Sequence, residues 1–194
     1  MISRRRFTAF LDANLLYSAA VRDIFMEVAL ANMYRAKWSP DVQREWLEAV
    51  LKTRPDLNRA NLVRTRDLMD KAIPSAMVSG YEHLIESIPL EKDPGDRHIV
   101  AAAIVGRCDV IVTNDFSHFP NAALKRFGLE KQRPDDFLAS HLDLEPSTFC
   151  SAVRTARIGK KNPPYTVEEY LSNLTEHGLV VTVVGLRQYA RLLA

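Results

Sequence analysis

Leu90-Glu91-Lys92-Asp93-Pro94-Gly95-Asp96-Arg97-His98-Ile99-Val100-Ala101-Ala102-Ala103-Ile104-Val105-Gly106-Arg107-Cys108-Asp109-Val110-Ile111-Val112-Thr113-Asn114-Asp115 is the stretch whose reading decides the fold. It reads as a capped helix followed by a buried strand. Asp93 has the side chain of an N-cap, Pro94 suits a first helical position where no N–H is needed, and Gly95 and Asp96 complete a first turn that favours negative charge. Ile99, Val100, Ala103 and Ile104 form an apolar stripe, and Gly106 stands where the helix should end. Val110-Ile111-Val112 is the continuous β-branched run of a strand buried on both faces of a parallel sheet, and it stops at Thr113, Asn114 and Asp115.

The same design opens the chain. In Arg6-Phe7-Thr8-Ala9-Phe10-Leu11-Asp12-Ala13-Asn14 an apolar run stops at an acid and an amphipathic helix follows. Right-handed strand–helix–strand units gather ligands outside the carboxyl ends of their strands. Asp12 and Asp115 occupy two such ends and Asp96 a helix start, so carboxylates are expected to converge.

The intervening chain reads as helical. Leu15 and Leu16 begin a helix expected to run on through Ile24, Val28 and Leu30, and Arg35 to Trp38 reads as a link. Ser39-Pro40-Asp41 is a strong helix start, with Glu45 one turn in and Val42, Trp46, Leu47, Val50 and Leu51 on the apolar face. A helix from about Asn58 to Ala72 would carry Leu62, Leu68 and Met69 on its apolar side. Between Ile73 and Leu90 a short strand or short helix is expected near Leu84 to Ile88. Beyond Asp115 come a loop, a short helix from Asn121 closed by Gly128, an edge strand at Leu129 to Gln132, and a helix containing Asp135, Asp136, Phe137 and Leu138.

Glu145-Pro146 reads as a junction, dividing the chain into residues 1–145 and a helical extension, 146–194. In the extension, Thr166-Val167-Glu168-Glu169 is a capping box and Gly178 a helix stop. Leu179 to Leu193 is ambiguous, because Val180, Val181, Val183 and Val184 favour strand.

The 194 residues carry a formal charge of +2, unevenly placed. Arg154, Arg157, Lys160, Lys161, Arg187 and Arg191 against Glu168, Glu169 and Glu176 make the tail +3 and leave the remainder −1. An anionic polymer substrate suits that balance, as does a solvated helical tail. The two cysteines, Cys108 and Cys150, cannot frame a disulfide scaffold or a metal site. Ser3-Arg4-Arg5-Arg6-Phe7 resembles a twin-arginine signal, but Asp12 and Asn14 interrupt the apolar core such a signal needs, so a cytoplasmic location is expected. No stretch approaches the roughly 20 apolar residues of a membrane span. A Gly-rich phosphate cradle of the Gly-x-x-x-x-Gly-Lys-Ser kind is absent, which argues against nucleoside triphosphate use.

Asp12, Glu45, Asp96 and Asp115 are the candidate site. Ionised carboxylates about 5 Å apart repel by roughly 3 kcal/mol at an effective dielectric near 20, so four acids without a basic partner either protonate or bind a cation. Hard oxygen donors favour Mg²⁺ or Mn²⁺ over Zn²⁺, and such ions support phosphodiester hydrolysis. Each acid also has a plain structural reading, as cap, dipole partner or turn residue. Glu48 is the substitute for Glu45, Asp93 reads as structural, Asp109 lies at the far end of its strand, and His98, His118 and Arg97 receive no site role.

Leu11-Asp12-Ala13-Asn14, Glu45 in a helix opened by Ser39-Pro40, Asp93-Pro94-Gly95-Asp96-Arg97-His98 with Ala102 and Ala103, and Val112-Thr113-Asn114-Asp115 followed by Phe119 together resemble the PIN-domain nucleases, particularly the VapC-type toxins. The likeness covers about Phe7 to Leu142. It implies a three-layer α/β/α fold with a central, mostly parallel sheet, Mg²⁺ or Mn²⁺ as cofactor, endonucleolytic cleavage of RNA, a cognate antitoxin protein as inhibitor, and possible homodimerisation. It also implies that Asp12, Asp96 and Asp115 bind metal, that Glu45 binds metal or orients water, and that Asn14 and Thr113 hold the acids by hydrogen bonds. The tail resembles the helical extension of a subset of VapC-like proteins. Two other readings are an RNA- or protein-binding scaffold that does not cut, and a phosphohydrolase with Asp12 as nucleophile. The latter resembles Asp-x-Asp enzymes, whose second acid is here Asn14.

Overall fold

The two apolar runs that stop at acids are adjacent strands. A computed structural model describes residues 7–90 and 93–194; Ser3 to Arg6 of the export-like pattern, and Glu91 and Lys92 of the opening stretch, lie outside the described residues. The elements in chain order are β1 (Thr8–Leu11), α1 (Ala13–Tyr17), α2 (Ala19–Leu30), β2 (Arg35–Lys37), α3 (Pro40–Thr53), α4 (Arg59–Ala72), α5 (Arg97–Val105), β3 (Val110–Val112), α6 (Asn121–Lys125), β4 (Glu130–Gln132), α7 (Pro134–Leu144), α8 (Pro146–Ile158), α9 (Val167–Glu176) and α10 (Val180–Arg187). Short 3₁₀ turns lie at Pro74–Ala76, Glu82–Ser87, Pro94–Asp96, Phe116–His118 and Ala190–Leu192.

The four strands form a wholly parallel sheet in the order β2-β1-β3-β4. This is the expected α/β class, with helical connections between the strands and helices in the C-terminal part of the chain. Every residue of β1 and β3 is buried, whereas β2 and β4 carry Arg35, Lys37, Glu130, Lys131 and Gln132. Apolar strands take the centre and charged ones the edges, where a polar side chain can reach water and discourages pairing with another chain. Leu11 pairs with Val112, and the Asp12 N–H donates to the Val112 carbonyl at 3.2 Å. The chain therefore leaves β1 and β3 side by side, at the point where strand order reverses. That is where parallel sheets open a crevice for ligands.

By its contacts the chain divides into two units: one runs to Tyr17 and resumes from Tyr34 to Gln132, and the other comprises Ser18–Met33 and Arg133–Ala194. In the first, Ser39 Oγ accepts the Val42 N–H at 3.2 Å, and Asn58 Oδ1 accepts the Ala60 N–H at 2.8 Å, capping α3 and α4. In the second, Phe25 stacks on Phe137 with ring centroids 5.7 Å apart. Thr166 and Glu169 form the capping box that opens α9, and Gly178 follows that helix at φ +89°, a left-handed conformation that favours glycine. Among the described residues no helix is long and apolar enough to cross a membrane.

Four expectations need correction. The helix from Leu15 does not run through to Leu30, because Ser18 takes an extended conformation and its Oγ accepts the Val21 N–H, starting α2 afresh. Arg35 to Trp38 is not merely a link. Its first three residues are β2, an edge strand too short and too polar to show a period, held through the single inward Ala36. Leu68 does not share the buried face of α4. Leu62 and Met69 stand two turns apart on that face, and the residue before Met69 is turned about 100° away, so Leu68 is 56% exposed. Finally, Asp93 and Pro94 do not open α5 directly: Pro94–Asp96 is a 3₁₀ turn, and Asp96 takes the cap position with no side-chain capping bond.

Candidate active site

β1 and β3 deliver Asp12, Thr113 and Asp115 to neighbouring positions, and the first helical turn after β1 adds Asn14. Asp12 is 5% exposed and Thr113 fully buried. One Asp12 oxygen accepts the Ala13 N–H at 2.6 Å. The other accepts the Thr113 hydroxyl and the Asn14 amide, each at 2.6 Å. The same Asn14 Nδ2 lies 2.9 Å from an Asp115 oxygen and 3.0 Å from Thr113 Oγ1. In return the Asn114 N–H donates to Asn14 Oδ1 at 3.1 Å, and the Asp115 N–H donates to Thr113 Oγ1 at 2.9 Å. An amide and a hydroxyl thus tie two carboxylates together across the junction of two strands.

Burial pushes the Asp12 carboxyl from 3.8 up to about 6, against the Thr113 and Ala13 hydrogen bonds, and the charges of Asp96 and Asp115 push it further in the same direction. Asp96 is also raised, first by burial and then by Asp93, while the hydrogen bond from His118 works the other way. Among the described residues no Lys or Arg forms an ion pair with Asp12, Asp96, Asp115 or Glu45. Asp12 is buried, Asp96 and Glu45 are half-buried and Asp115 is exposed, and acids that Lys and Arg leave unpaired are suited to receiving a metal cation.

Asp96 reaches the site from the start of α5. His118 Nδ1, from the turn after β3, lies 2.8 Å from Asp96 Oδ2 and 3.2 Å from Asp93 Oδ2. The Asp96 hydrogen bond, above all, raises the His118 ring above its ordinary 6.5. Among the described residues, Asp93, Asp96 and His118 are the group that offers three ligand atoms within 4.8 Å of one another. Asp12, Asp115 and Glu45 complete no group that tight. Asp93 and His118 received no site role from the sequence, yet both stand beside Asp96. The signal lay in Asp93-Pro94-Gly95-Asp96: a 3₁₀ turn eclipses positions i and i+3 and so brings the two acids to one edge. Gly95 serves the same end, since a Cβ there would meet Asp93 Oδ1 at 3.2 Å.

Glu45 and Glu48 are separated by their partners. Glu48 accepts Arg59 Nη1 at 2.8 Å, an exposed pair on α3 and α4. Glu45 Oε1 lies 3.0 Å from His98 Nε2 on α5, two residues beyond Asp96. Burial works against charge on His98, but the Glu45 hydrogen bond, and the charges of Glu45, Asp41 and Asp96, hold it above 6.5. Asp109 is at the opposite strand end, as expected, where its carboxylate accepts the Thr8 N–H at 2.8 Å.

The sequence model described as PIN domain matches residues 8–117, more than half of the chain. The chain belongs to the PIN domain family. The span of that PIN domain match contains Asp12, Glu45, Asp93, Asp96 and Asp115. A second model, described as VapC50 C-terminal domain, matches residues 134–188. A Mycobacterium tuberculosis (strain ATCC 25618 / H37Rv) protein named "Putative ribonuclease VapC50" is 35% identical over 104 residues, covering 54% of this chain and 60% of that protein. The match thus spans less than two thirds of that relative's length. No solved structure matches the chain.

Among the described residues the candidate ligand atoms of this PIN domain are carboxylate oxygens, of Asp12, Asp93, Asp96 and Asp115, with imidazole at His118 and His98. Such a set fits a divalent cation. Bound there, the cation would acidify a water and stabilise charge on a phosphate.

Proposed function

We propose that this PIN-domain protein is a divalent-metal-dependent endoribonuclease that hydrolyses RNA phosphodiester bonds, and that it is the toxin half of a type II toxin–antitoxin pair. One observation carries the nuclease reading: Asp12 and Asp115 stand at the adjoining ends of β1 and β3, share the amide of Asn14, and have no Lys or Arg partner among the described residues. The family and the printed name of the relative support the choice of RNA.

In this reading Asp12, Asp96 and Asp115 hold Mg²⁺ or Mn²⁺, and Glu45 holds the ion or orients the attacking water. Asn14 and Thr113 aim the Asp12 carboxylate by donating to the same oxygen, and the Thr113 bond favours its ionised form against the burial that disfavours it. An antitoxin would silence the site by covering it or by placing a basic side chain among the acids. Homodimerisation and a cytoplasmic location complete the proposal. The functional boundary is proposed at 145/146, between a nuclease region, 1–145, and a helical extension, 146–194; α7, Pro134–Leu144, belongs by contacts to the second unit and by this proposal to the nuclease.

The deciding experiment is cleavage of a panel of labelled RNAs by the purified protein with Mg²⁺, Mn²⁺ or chelator, beside Asp96→Asn. Metal-dependent cutting that is lost in the variant is expected. A folded, partner-free protein that binds RNA and cuts none of the panel under any metal would replace the nuclease with a binding scaffold.

A further inference from the structure

Buried side-chain nitrogens are ordinarily hydrogen-bonded. His98 departs from this in one half of its ring. The residue is 9% exposed; Nε2 meets Glu45 at 3.0 Å, while Nδ1 is buried with no hydrogen-bond partner among the described residues. An apolar side chain would fill that space without an orphaned nitrogen, so the imidazole must be explained by what Nε2 does. What it touches is an acid of the candidate site. Glu45 projects from the middle of α3 on a long side chain that is 39% exposed, and among the described residues no Lys or Arg forms an ion pair with it. Left alone, such a carboxylate samples several rotamers. His98 is in the first turn of α5, two residues after Asp96, with its own ring fixed by burial. A single hydrogen bond therefore ties the acid on α3 to the helix that carries the acid at its start.

From this geometry we infer that His98 is a positioning residue: its Nε2 holds the Glu45 carboxylate in the orientation in which it works with Asp12, Asp96 and Asp115. This rests on the nuclease reading above. It distinguishes Glu45 from Glu48, whose carboxylate is engaged by Arg59. Groups that hydrogen-bond a ligating or water-orienting residue typically change metal affinity or turnover by about 10- to 100-fold when removed.

The test uses the full chain and compares wild type, His98→Ala, Glu45→Ala, the double variant and His98→Gln. Mn²⁺ affinity is read by calorimetry, kcat and KM on a cleaved RNA, and folding by thermal unfolding. His98→Ala is expected to lose about 10- to 100-fold in kcat with KM for RNA unchanged. Mn²⁺ affinity should shift by the same factor as in Glu45→Ala, and the double variant should lose nothing more. His98→Gln, which offers an amide N–H toward Glu45, should recover most of the loss. Should His98→Ala fail to fold, His98→Phe fills the same space without an N–H and takes its place. The positioning role is overturned by wild-type kcat and affinity in the His98 variant, by losses that add to those of Glu45→Ala, or by a Glu45→Ala variant that loses nothing. A wild type that neither binds Mn²⁺ nor cuts RNA sinks the nuclease reading and the positioning role together, an outcome distinct from the others.

Discussion

Asn14 spreads two amide hydrogens over three acceptors, on Asp12, Asp115 and Thr113. Its removal should release two carboxylates that repel each other. Asn14→Ala is therefore expected to unfold at a lower temperature without metal and to cut RNA about 10- to 100-fold more slowly, with added Mn²⁺ restoring stability better than turnover. Asp12 itself is a stability burden. Its carboxyl is raised from 3.8 to about 6, so the folded state binds a proton more tightly than the unfolded state. Stability from this group is gained as pH falls from about 6 toward 3.8 and is absent at neutral pH. There, ionising the buried acid costs about 3 kcal/mol. A cation that binds only the folded state offsets that cost. Saturating Mn²⁺ should accordingly raise the unfolding midpoint of the wild type and chelator should reverse it, while Asp12→Asn should respond to neither; a midpoint indifferent to metal in the wild type would remove Asp12 from the ligand set.

At the scale of elements, α10 is the instructive case. Val180, Val181, Val183 and Val184 favour strand, and the helix has no capping side chain of its own. Asp135, in the first turn of α7, supplies one from outside: its two oxygens accept the N–H groups of Val181 at 2.7 Å and Thr182 at 2.8 Å, and its carbonyl accepts the Thr182 hydroxyl at 3.1 Å. Two otherwise orphaned donors are satisfied, with a negative charge at the positive end of the helix. Asp135→Ala should destabilise the protein by about 1–2 kcal/mol, mostly by loosening α10. Hydrogen exchange should show lost protection across Val180–Arg187 first; uniform loss over the whole chain, or none, would contradict this account.

Across the whole molecule, the pH dependence of stability contains a separable contribution from His141. It is 7% exposed, its Nδ1 donates to the Phe137 carbonyl at 2.8 Å, and burial lowers its pKa below the ordinary 6.5. The unfolded chain then binds the proton first, so this group subtracts stability as pH falls through about 6.5 and subtracts nothing above it. Chemical denaturation from pH 5 to 8 should show wild type losing ground to His141→Gln below about 6.5, and a constant difference would refute a depressed His141. The sequence by itself determined the parallel α/β class, since Thr8–Leu11 and Val110–Val112 are apolar runs that can only be central strands. It also determined the strand-end positions of Asp12 and Asp115, the caps at Ser39 and Thr166, and the acid at the start of α5. Local chemistry decides these, because each residue acts on its neighbours within a turn or a strand. Only the tertiary structure decided that Arg35–Lys37 is a strand, that Val180–Arg187 is a helix, that His118 stands between Asp93 and Asp96, and that His98 holds Glu45. In each of these the deciding partner lies far along the chain, on β1, on α7, at the turn before α5 or on α3, and no periodicity within the segment records which distant donor, acceptor or strand edge will meet it.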